Sequence, residues 1–584
     1  MIAENLAILA TVICLTVPVL TQPRIGDVQY RQNEGAWMHG ELPLRINSPA
    51  APTVIDARMT VQVGTLFFRL YRVVIDDCLT SLVIDNTPLD TLTHKLCDDA
   101  HNHTLDLSRQ LTTGTHIVEA RITNGGGNAS FSLMPSENKK KFVLPVITWL
   151  ILMTLAGSLW IHAQPEKKRE WGIAGIVLLG VVLRLFYVAI TPESLRGYDT
   201  DGHIEYIRYI TQHSALPAPN AGWEFWQPPL YYVLGSLVMK MGEMFGWAAA
   251  QSIVGLQMLS LAFSIAVLLI CAWIATMLFP REGEGLARTL LTGVLATLPS
   301  IVFFSARINN DVLVALLSFL WLGLLLRWWL KQYEWLEWVL LSVAIGLHLL
   351  TKNTGLLLLP ISLIVLMSAT QMTRKRRVAM GAALICICVF IAGWLPLTRP
   401  THFDVQHVIG NAQNLNSQLQ VRNDLTAYLT FNPIQILRNP YNNPWNEESR
   451  RHNFWEYLFR SAYVGEFEFG EWRKMFVSTV LLLGLLSLPV IALGIVTAVS
   501  RRWPPTLPLL ATLFILLLGH AALRWQYPFS STQDFRYSTL VVLPLAAFAL
   551  RGIYAVAWLR KPLSFLLWAS VFSSMIFLLS LYRA

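Results

Sequence analysis

The stretch WGIAGIVLLGVVLRLFYVAITPESLRGYDTDGHIEYIRYI, residues 171–210, decides the fold of this chain. Its first half is an apolar run over 171–191, long enough for a helix that crosses the ~30 Å apolar layer of a bilayer. Its second half is polar and contains two carboxylates, Asp199 and Asp201. From Gly202 to Gln212 the apolar residues have helical spacing, which predicts a helix lying along the membrane surface. A membrane span therefore leads directly into a loop that carries candidate catalytic groups.

Apolar runs of this kind recur along the chain, which is 54% hydrophobic and only 14% charged, whereas soluble domains carry about 25% charged residues. The segment 228–246 is apolar but contains Lys240 and Glu243, and we predict that it lies in the interface without crossing. The fold class is therefore a polytopic α-helical membrane protein. We predict about thirteen spanning helices, near 5–20, 143–161, 171–191, 250–278, 286–305, 311–330, 338–350, 353–369, 378–398, 475–499, 507–526, 538–558 and 563–581.

The orientation follows from short loops rich in Lys and Arg, which stay in the cytoplasm. Four such loops lie at 167–169, 374–377, 501–502 and 560–561. Their common placement puts the N-terminus inside and the C-terminus outside. It also puts five segments on the outer face, namely 192–249, 306–311, 351–353, 399–474 and 526–537. We expect a multi-pass protein of a bacterial inner or cell membrane, with its active site on the periplasmic side.

The N-terminal part predicts two further units. Residues 1–23 contain an apolar run that we expect to be an uncleaved membrane anchor, and residues 24–141 show strand-like alternation, as in THIVEARIT. Short strands separated by turn signals predict an extracytoplasmic β-sandwich. Cys78 and Cys97 lie in this domain, and outside the cytoplasm a disulfide between them is expected, with two free thiols as the alternative. The remainder, 142–584, is the predicted multi-spanning catalytic domain.

The first outer loop carries a concentration of polar groups. A carboxylate such as Asp199 or Asp201, held at the rim of a bilayer, can act as a general base towards a hydroxyl. His203 and Glu205 follow closely and are candidate substrate contacts. A close pair of aspartates can also hold a divalent cation, so a metal on Asp199, Asp201 and His203 stays open. The simpler alternative is a solvated helix start, where Asp is favoured by the helix dipole.

The short outer turns each contain one cation, although outer turns are usually poor in them. Arg307 precedes Asp311, Lys352 precedes Asn353, and Arg536 lies in the last turn. Isolated cations that converge on one face suit an anionic ligand such as a phosphate. We add Arg184 to this candidate substrate site, because an arginine inside a span is a functional candidate. For each cation alone, snorkelling or a structural ion pair is the alternative.

Five motifs in this order carry a resemblance, namely YDTDGHIEYIRYI, QPPLYYVL, RINNDVLVALL, LTKNTGLLLLP and QDFRYSTLVVLP. Together they resemble the GT-C glycosyltransferases, in particular the branch of the protein O-mannosyltransferases and the lipid A aminoarabinose transferases, over Trp171 to Arg551. The resemblance implies that Asp199 is the catalytic base and that Asp311 is the second outer acid. It also implies that Lys352 and Arg536 hold the lipid phosphate.

The resemblance is imperfect at one catalytic position. The family often has Glu directly after the first Asp, where this chain has Thr200 followed by Asp201. Either Asp199 or Asp201 can therefore be the base, and metal dependence stays open. His203 falls where relatives often carry His.

The activity that the resemblance implies is an inverting transfer of a sugar. The donor is a polyprenyl-phosphate-linked sugar, and the acceptor is a glycan, a lipid or a protein on the outer face. Two alternatives are a flippase for lipid-linked sugars and a polymerase or ligase that uses a lipid diphosphate. The adjacent pair Arg450 and Arg451 in the long outer loop keeps the last alternative open. Nothing in the sequence indicates binding of nucleic acid or of a soluble nucleotide.

Overall fold

The computed structural model describes residues 24–581 except for a set of gaps. The gaps are 41, 43, 49–52, 64–69, 76–77, 90–95, 98–102, 108–109, 113, 125–126, 136–170, 194, 198, 282, 332, 399–414, 557 and 559. The predicted anchor at 1–23, the predicted span at 143–161 and the basic loop at 167–169 therefore lie outside the described residues. The chain forms two compact units, one with Met1–Thr148 and Val238–Gly255 and the other with Trp149–Leu237 and Leu256–Ala584.

The first unit contains two antiparallel sheets. One has the strand order β2-β1-β4-β10-β6-β7, with β8 also paired to β6, and the other has the order β3-β11-β5-β9. The strands are β1 (Arg24–Gln32), β2 (Met38–His39), β3 (Leu44–Ser48), β4 (Thr53–Val63), β5 (Leu70–Ile75), β6 (Cys78–Ile84), β7 (Thr87–Pro88), β8 (Leu96–Cys97), β9 (His103–Asp106), β10 (Gly114–Asn124) and β11 (Gly127–Pro135).

One hydrophobic core joins the two sheets. Met59 of β4 and Val118 of β10 come from the first sheet, whereas Val73 of β5 and Phe131 of β11 come from the second. Alternate residues of β4 and β10 are buried because successive side chains of a strand point to opposite faces. Two sheets that share a core in this way form the β-sandwich expected for this region.

The two cysteines of the predicted disulfide are register partners. Strands β6 and β8 are antiparallel, with Cys78 opposite Cys97. Opposed residues of an antiparallel pair have Cα atoms about 4.5–5.5 Å apart, which is within the range that a disulfide spans. The side chain of Cys97 lies outside the described residues, so the disulfide stays a prediction.

The second unit is helical. Its main elements, some of which extend into Val238–Gly255, are α1 (Trp171–Ile190), α2 (Thr200–His213), α3 (Leu230–Met244), α4 (Ala249–Leu278), α5 (Gly285–Thr297), α6 (Pro299–Phe303), α7 (Asp311–Leu330), α8 (Trp335–Leu349), α9 (Leu358–Ser368), α10 (Arg374–Ala392), α11 (Trp394–Thr398), α12 (Leu425–Leu429), α13 (Pro433–Arg438), α14 (Phe454–Val464), α15 (Lys474–Ser500), α16 (Thr506–Gln526), α17 (Val542–Ile553) and α18 (Arg560–Ser580). Short 3₁₀ helices connect several of them.

Eight helices of the described part are long and apolar enough to cross a membrane. A ninth span is possible if α5 and the helix after it are counted together, although they meet at a bend of 55°. Pro299 begins the second helix of this pair and lacks the N–H that would continue the first. Helix α8 and the segment Asn353–Ser368 are apolar but shorter, so the predicted count of thirteen is not confirmed. Helix α3 is not among the candidate spans.

The described parts of the predicted cytoplasmic loops lie at one end of the helical unit. Arg376 donates to the carbonyl of Tyr333, just beyond the end of α7, over 2.7 Å. Trp329 donates to the carbonyl of Pro504 over 2.7 Å. Arg501 donates to the carbonyl of Ala555 over 3.3 Å. We call this the basic end. The opposite end of α7 begins at Asp311, and we call it the polar end.

Candidate active site at the polar end

Two predicted cations converge on one carboxylate at the polar end. Asp311 begins α7, and only 3% of its side chain is exposed. Lys352, in the turn after α8, forms an ion pair with Oδ1 of Asp311. Arg536, in the 3₁₀ helix Phe535–Val541, places Nη1 3.9 Å from Oδ2 of the same residue. The structure thus brings together three residues from different turns, and we call them the Asp311 cluster.

The Asp311 cluster carries more positive than negative charge. The ring of Tyr537 lies beside both cations, with Nζ of Lys352 4.9 Å and Cζ of Arg536 5.1 Å from its centroid. Lys352 and Arg536 share the Asp311 carboxylate, and the charge of Asp534 also acts on Arg536. Two cations held side by side in this way can bind the oxygens of an anionic ligand.

Amide side chains attach the first polar loop to this cluster. Asn310 donates from Nδ2 to Oε1 of Gln227 over 3.2 Å and to the carbonyl of Thr351 over 3.1 Å. The backbone N–H of Leu230 donates to the carbonyl of Leu350 over 2.8 Å. The loop before α3 and the turn that carries Lys352 are therefore fixed against each other.

Asp199 is held in an unusual backbone conformation directly before α2. Its φ of 48° and ψ of 26° lie in the left-handed region, which a few residue types such as Asp tolerate. Its side chain makes no capping bond to the helix, although an Asp at this position usually caps. Instead its Oδ1 accepts a hydrogen bond of 3.0 Å from the indole N–H of Trp223. The carboxylate is exposed and remains available to a substrate.

His203 lies on α2, and the charges of the Asp311 cluster act on its imidazole ring. It is buried, and its Nδ1 lies 2.9 Å from the hydroxyl of Tyr232. Burial lowers the pKa of His203 to about 4, and the charges of Asp199 and of the Asp311 cluster all act on it. His203 is therefore neutral at physiological pH. The hydrogen bond with Tyr232 holds the imidazole ring of His203 in place.

Glu224 belongs to the site although the sequence did not indicate it. Only 4% of it is exposed, and its Oε2 has no hydrogen-bond partner among the described residues. Burial and then the charge of Asp199 raise the pKa of Glu224 to about 8. Its side chain packs on Gly202, where a Cβ would lie 2.9 Å from Cγ of Glu224. A carboxyl group that retains its proton at neutral pH is thus placed near the candidate base.

A second buried acid, Glu466, interacts electrostatically with Arg536 and was also missed. The hydroxyl of Tyr457 donates to its Oε1 over 2.6 Å. Burial, followed by the charge of Asp534, raises the pKa of Glu466 to about 8. Arg307 contributes a charge to this region and lies 5.2 Å from the ring centroid of Phe467. The charge of the predicted residue Arg307 therefore acts on this acid.

The structure does not bring Arg184 into contact with the Asp311 cluster among the hydrogen bonds it shows, and its role in substrate binding stays a prediction. It is fully buried, and its Nε donates to Oγ of Ser264 over 2.9 Å. Its Nη1 donates to the carbonyls of Gly180 and Ala296 over 3.0 Å each. These bonds connect α1, α4 and α5, so the residue stabilises helix packing inside the bundle.

The remaining predicted residues have simpler environments. Asp201 and Glu205 are exposed on α2, whereas Asn353 is buried at the start of a 3₁₀ helix beside Lys352. Within the described ranges, no group of three His, Cys, Asp or Glu side chains could hold a metal ion. A metal on Asp199, Asp201 or His203 would therefore need further ligands, and we assign no chemical step to one.

The arginine pair of the long loop is engaged in local ion pairs. Arg450 donates from Nε to Oε2 of Glu456 over 2.8 Å and from Nη2 to Oε1 over 3.0 Å. Arg451 forms an ion pair with Glu447 and donates to the carbonyl of Pro444 over 2.9 Å. Both arginines are therefore held by contacts within the long loop itself.

No protein-family profile and no curated protein matches this sequence. Solved structures with some likeness include an oligosaccharyltransferase of Archaeoglobus fulgidus in complex with Zn and sulfate, at 14% identity and a TM-score of 0.42. That match covers 70% of this chain and 53% of the other, so the chain spans about half the length of this neighbour.

Two further solved structures have comparable likeness. The same archaeal enzyme, named AglB, in complex with an inhibitory peptide and a dolichol-phosphate matches at 14% identity and a TM-score of 0.41, covering 70% of this chain and 56% of the other. Arabinosyltransferase EmbB of Mycobacterium smegmatis matches at 14% identity and a TM-score of 0.32, covering 95% of this chain and 64% of the other.

Proposed function

We propose that this chain is a membrane glycosyltransferase of the GT-C type. It transfers a sugar from a polyprenyl-phosphate-linked donor to an acceptor on the outer face of the membrane. The observation that carries the proposal is the convergence of Lys352 and Arg536 on Asp311 at the polar end. The same end holds the exposed carboxylate of Asp199. A phosphate site and a candidate base thus occur on one face of one bundle.

The Asp311 cluster suits the phosphate of the donor. Asp311 holds both cations close together, so that their N–H donors can bind the anion side by side. Guanidinium and ammonium groups form short, charge-assisted hydrogen bonds with phosphate oxygens. As the bond between the sugar and the phosphate breaks, negative charge grows on the phosphate oxygen that was bonded to the sugar. The two cations therefore stabilise the transition state more than they stabilise the bound donor.

The acceptor is activated by Asp199. Its carboxylate takes the proton of the acceptor hydroxyl while the acceptor oxygen attacks the anomeric carbon. The bond between that carbon and the phosphate oxygen breaks, and polyprenyl phosphate leaves. One direct displacement inverts the anomeric configuration. Trp223 fixes the orientation of Asp199 through its 3.0 Å hydrogen bond, whereas Asp201, the second residue of α2, is the alternative base.

The outer location of the site follows from the charge of the loops. The basic end gathers the segments at 374–377 and 501–502, which the positive-inside rule places in the cytoplasm. The polar end is at the opposite end of α7 and therefore faces outward. The β-sandwich would lie outside as well, where a disulfide between Cys78 and Cys97 can form.

The two alternative functions gain no support from the described residues. Arg184 is a charge inside a span, and it donates hydrogen bonds to Ser264 and to the carbonyl of Ala296 within the helix packing. Arg450 and Arg451, which suited a lipid diphosphate, are paired with local glutamates.

The test is turnover of the purified full-length protein with a panel of polyprenyl-phosphate sugars, measured as release of polyprenyl phosphate. Lys352→Met should reduce turnover about a hundredfold or more, and Lys352→Arg should retain part of it. Lys375→Met, at an exposed lysine of the basic end, is the matched control and should be unchanged. A folded Lys352→Met protein with wild-type turnover would contradict the proposal.

A further inference from the structure

A second group of arginines is not among the residues that the proposed reaction uses. Arg196, between α1 and α2, has its Cζ 5.3 Å from the ring centroid of Phe469 and 5.8 Å from that of Tyr187. Arg473, at the end of the 3₁₀ helix Glu471–Arg473, is 5% exposed and donates from Nη1 to the carbonyl of Phe469 over 2.6 Å. Two guanidinium groups thus lie beside one phenylalanine.

These arginines have donors that the protein does not satisfy. Arg196 makes no hydrogen bond or ion pair to any residue of the described ranges, and its Nη1 is buried. Nη2 of Arg473 is likewise buried without a hydrogen-bond partner there. Buried charged donors cost stability unless they are hydrogen-bonded. Two neighbouring guanidinium groups with unsatisfied N–H donors therefore indicate a binding site for a ligand.

The charges of the pair also lack a counterion. No carboxylate of the described residues forms an ion pair with Arg196 or Arg473. Burial lowers the pKa of Arg473, and the charge of Arg196 lowers it further. The backbone of Arg196 has a φ of 59°, a conformation that proteins maintain at cost and often at functional positions. An anion between the two guanidinium groups would compensate both charges.

The position of the pair at the ends of two spans indicates where that anion comes from. Arg473 directly precedes α15, and its Nε donates to the carbonyl of Ser580 at the end of α18 over 3.2 Å. Its Cζ lies 4.2 Å from the ring centroid of Trp472, which is 52% exposed. Exposed tryptophans at span ends mark the interface between the apolar layer and the head groups. Lipid phosphates lie at this level.

We propose that Arg196 and Arg473 form a binding site for the phosphate group of a membrane lipid, separate from the Asp311 cluster. The guanidinium groups present paired N–H donors in a planar fork, which matches phosphate oxygens better than a lysine would. The acyl chains then extend along the apolar surface of α15 and α18. The proposal does not depend on the glycosyltransferase activity.

Native mass spectrometry of the full-length protein in detergent tests this site. The protein is titrated with phosphatidylglycerol, with diacylglycerol, which lacks the phosphate, and with inorganic phosphate. Phosphatidylglycerol should bind the wild type, and Arg196→Gln and Arg473→Gln should each weaken its tightest binding about tenfold or more. Arg438→Gln, at an exposed arginine of α13, is the matched control and should bind as the wild type does.

The outcomes separate the lipid from other ligands. Equal binding by the wild type and Arg196→Gln would overturn the proposal, as would equal binding of diacylglycerol and phosphatidylglycerol. Arginine-dependent binding of inorganic phosphate without binding of the phospholipid would overturn the lipid assignment. If Arg473→Gln fails to fold because the bonds to Phe469 and Ser580 are lost, Arg196→Gln decides, since its guanidinium bonds to no described residue.

Discussion

The substitution Glu224→Gln should change how the stability of this protein depends on pH. The pKa of Glu224 rises from its ordinary value of 4.5 to about 8 in the folded chain, mainly through burial. The folded state therefore retains a proton that the unfolded state releases above pH 4.5. The contribution of Glu224 to stability is fully present below that pH and is lost as the pH rises towards 8. At about 1.4 kcal/mol per pKa unit, the full effect is roughly 5 kcal/mol.

The neutral amide of glutamine resembles the protonated acid and cannot ionise. The variant should match the wild type at pH 5 and be more stable than it at pH 8.5. Glu466 has a pKa raised in the same direction, so the variant should lose only part of the pH dependence. The measurement is thermal unfolding of the detergent-solubilised protein from pH 5 to 9, with the exposed Glu205→Gln as control. If the unfolding temperatures of Glu224→Gln and the wild type depend on pH in the same way, the pKa of Glu224 is not raised and the reasoning is wrong.

Three further predictions concern the base, the disulfide and the topology. Asp199→Asn should leave folding intact and lower turnover about 10²–10⁴-fold, the usual contribution of a general base; wild-type turnover of the folded variant would remove Asp199 from this role. Non-reducing peptide mass spectrometry should find Cys78 linked to Cys97, and alkylation of both as free thiols would contradict the pairing. Reporter fusions after Ser136 and Arg376 should lie on opposite sides of the membrane, so a shared compartment would reject the orientation.

The long apolar runs and the alternating strands could be predicted from the sequence alone. Both are local patterns, because a span needs about 20 apolar residues and a half-buried strand alternates with a period of two. The span count was less certain for a physical reason. A hydropathy window does not register the 55° bend before Pro299, nor the shortness of α8.

The polar turns were also predictable, since an isolated cation in a short outer turn is unfavourable unless something binds it. What the sequence could not show is that Lys352 and Arg536 meet at the same carboxylate, 41 and 225 residues after Asp311 in the chain. Their meeting depends on how α7, α8 and the 3₁₀ helix Phe535–Val541 pack together.

The burial of side chains is the property that local sequence patterns predict least well in this protein. The sequence determined a membrane-spanning bundle with polar turns, because hydrophobicity and charge act at the level of single segments. Glu224 and Glu466 look like solvated loop acids in the sequence, and Arg184 looks like a functional charge inside a span. Their actual roles depend on residues far away in the chain, such as the carbonyl of Ala296 that accepts from Arg184. A side chain's solvation and partners are set by packing, so only the folded bundle assigns the two acids to the site and the arginine to the core.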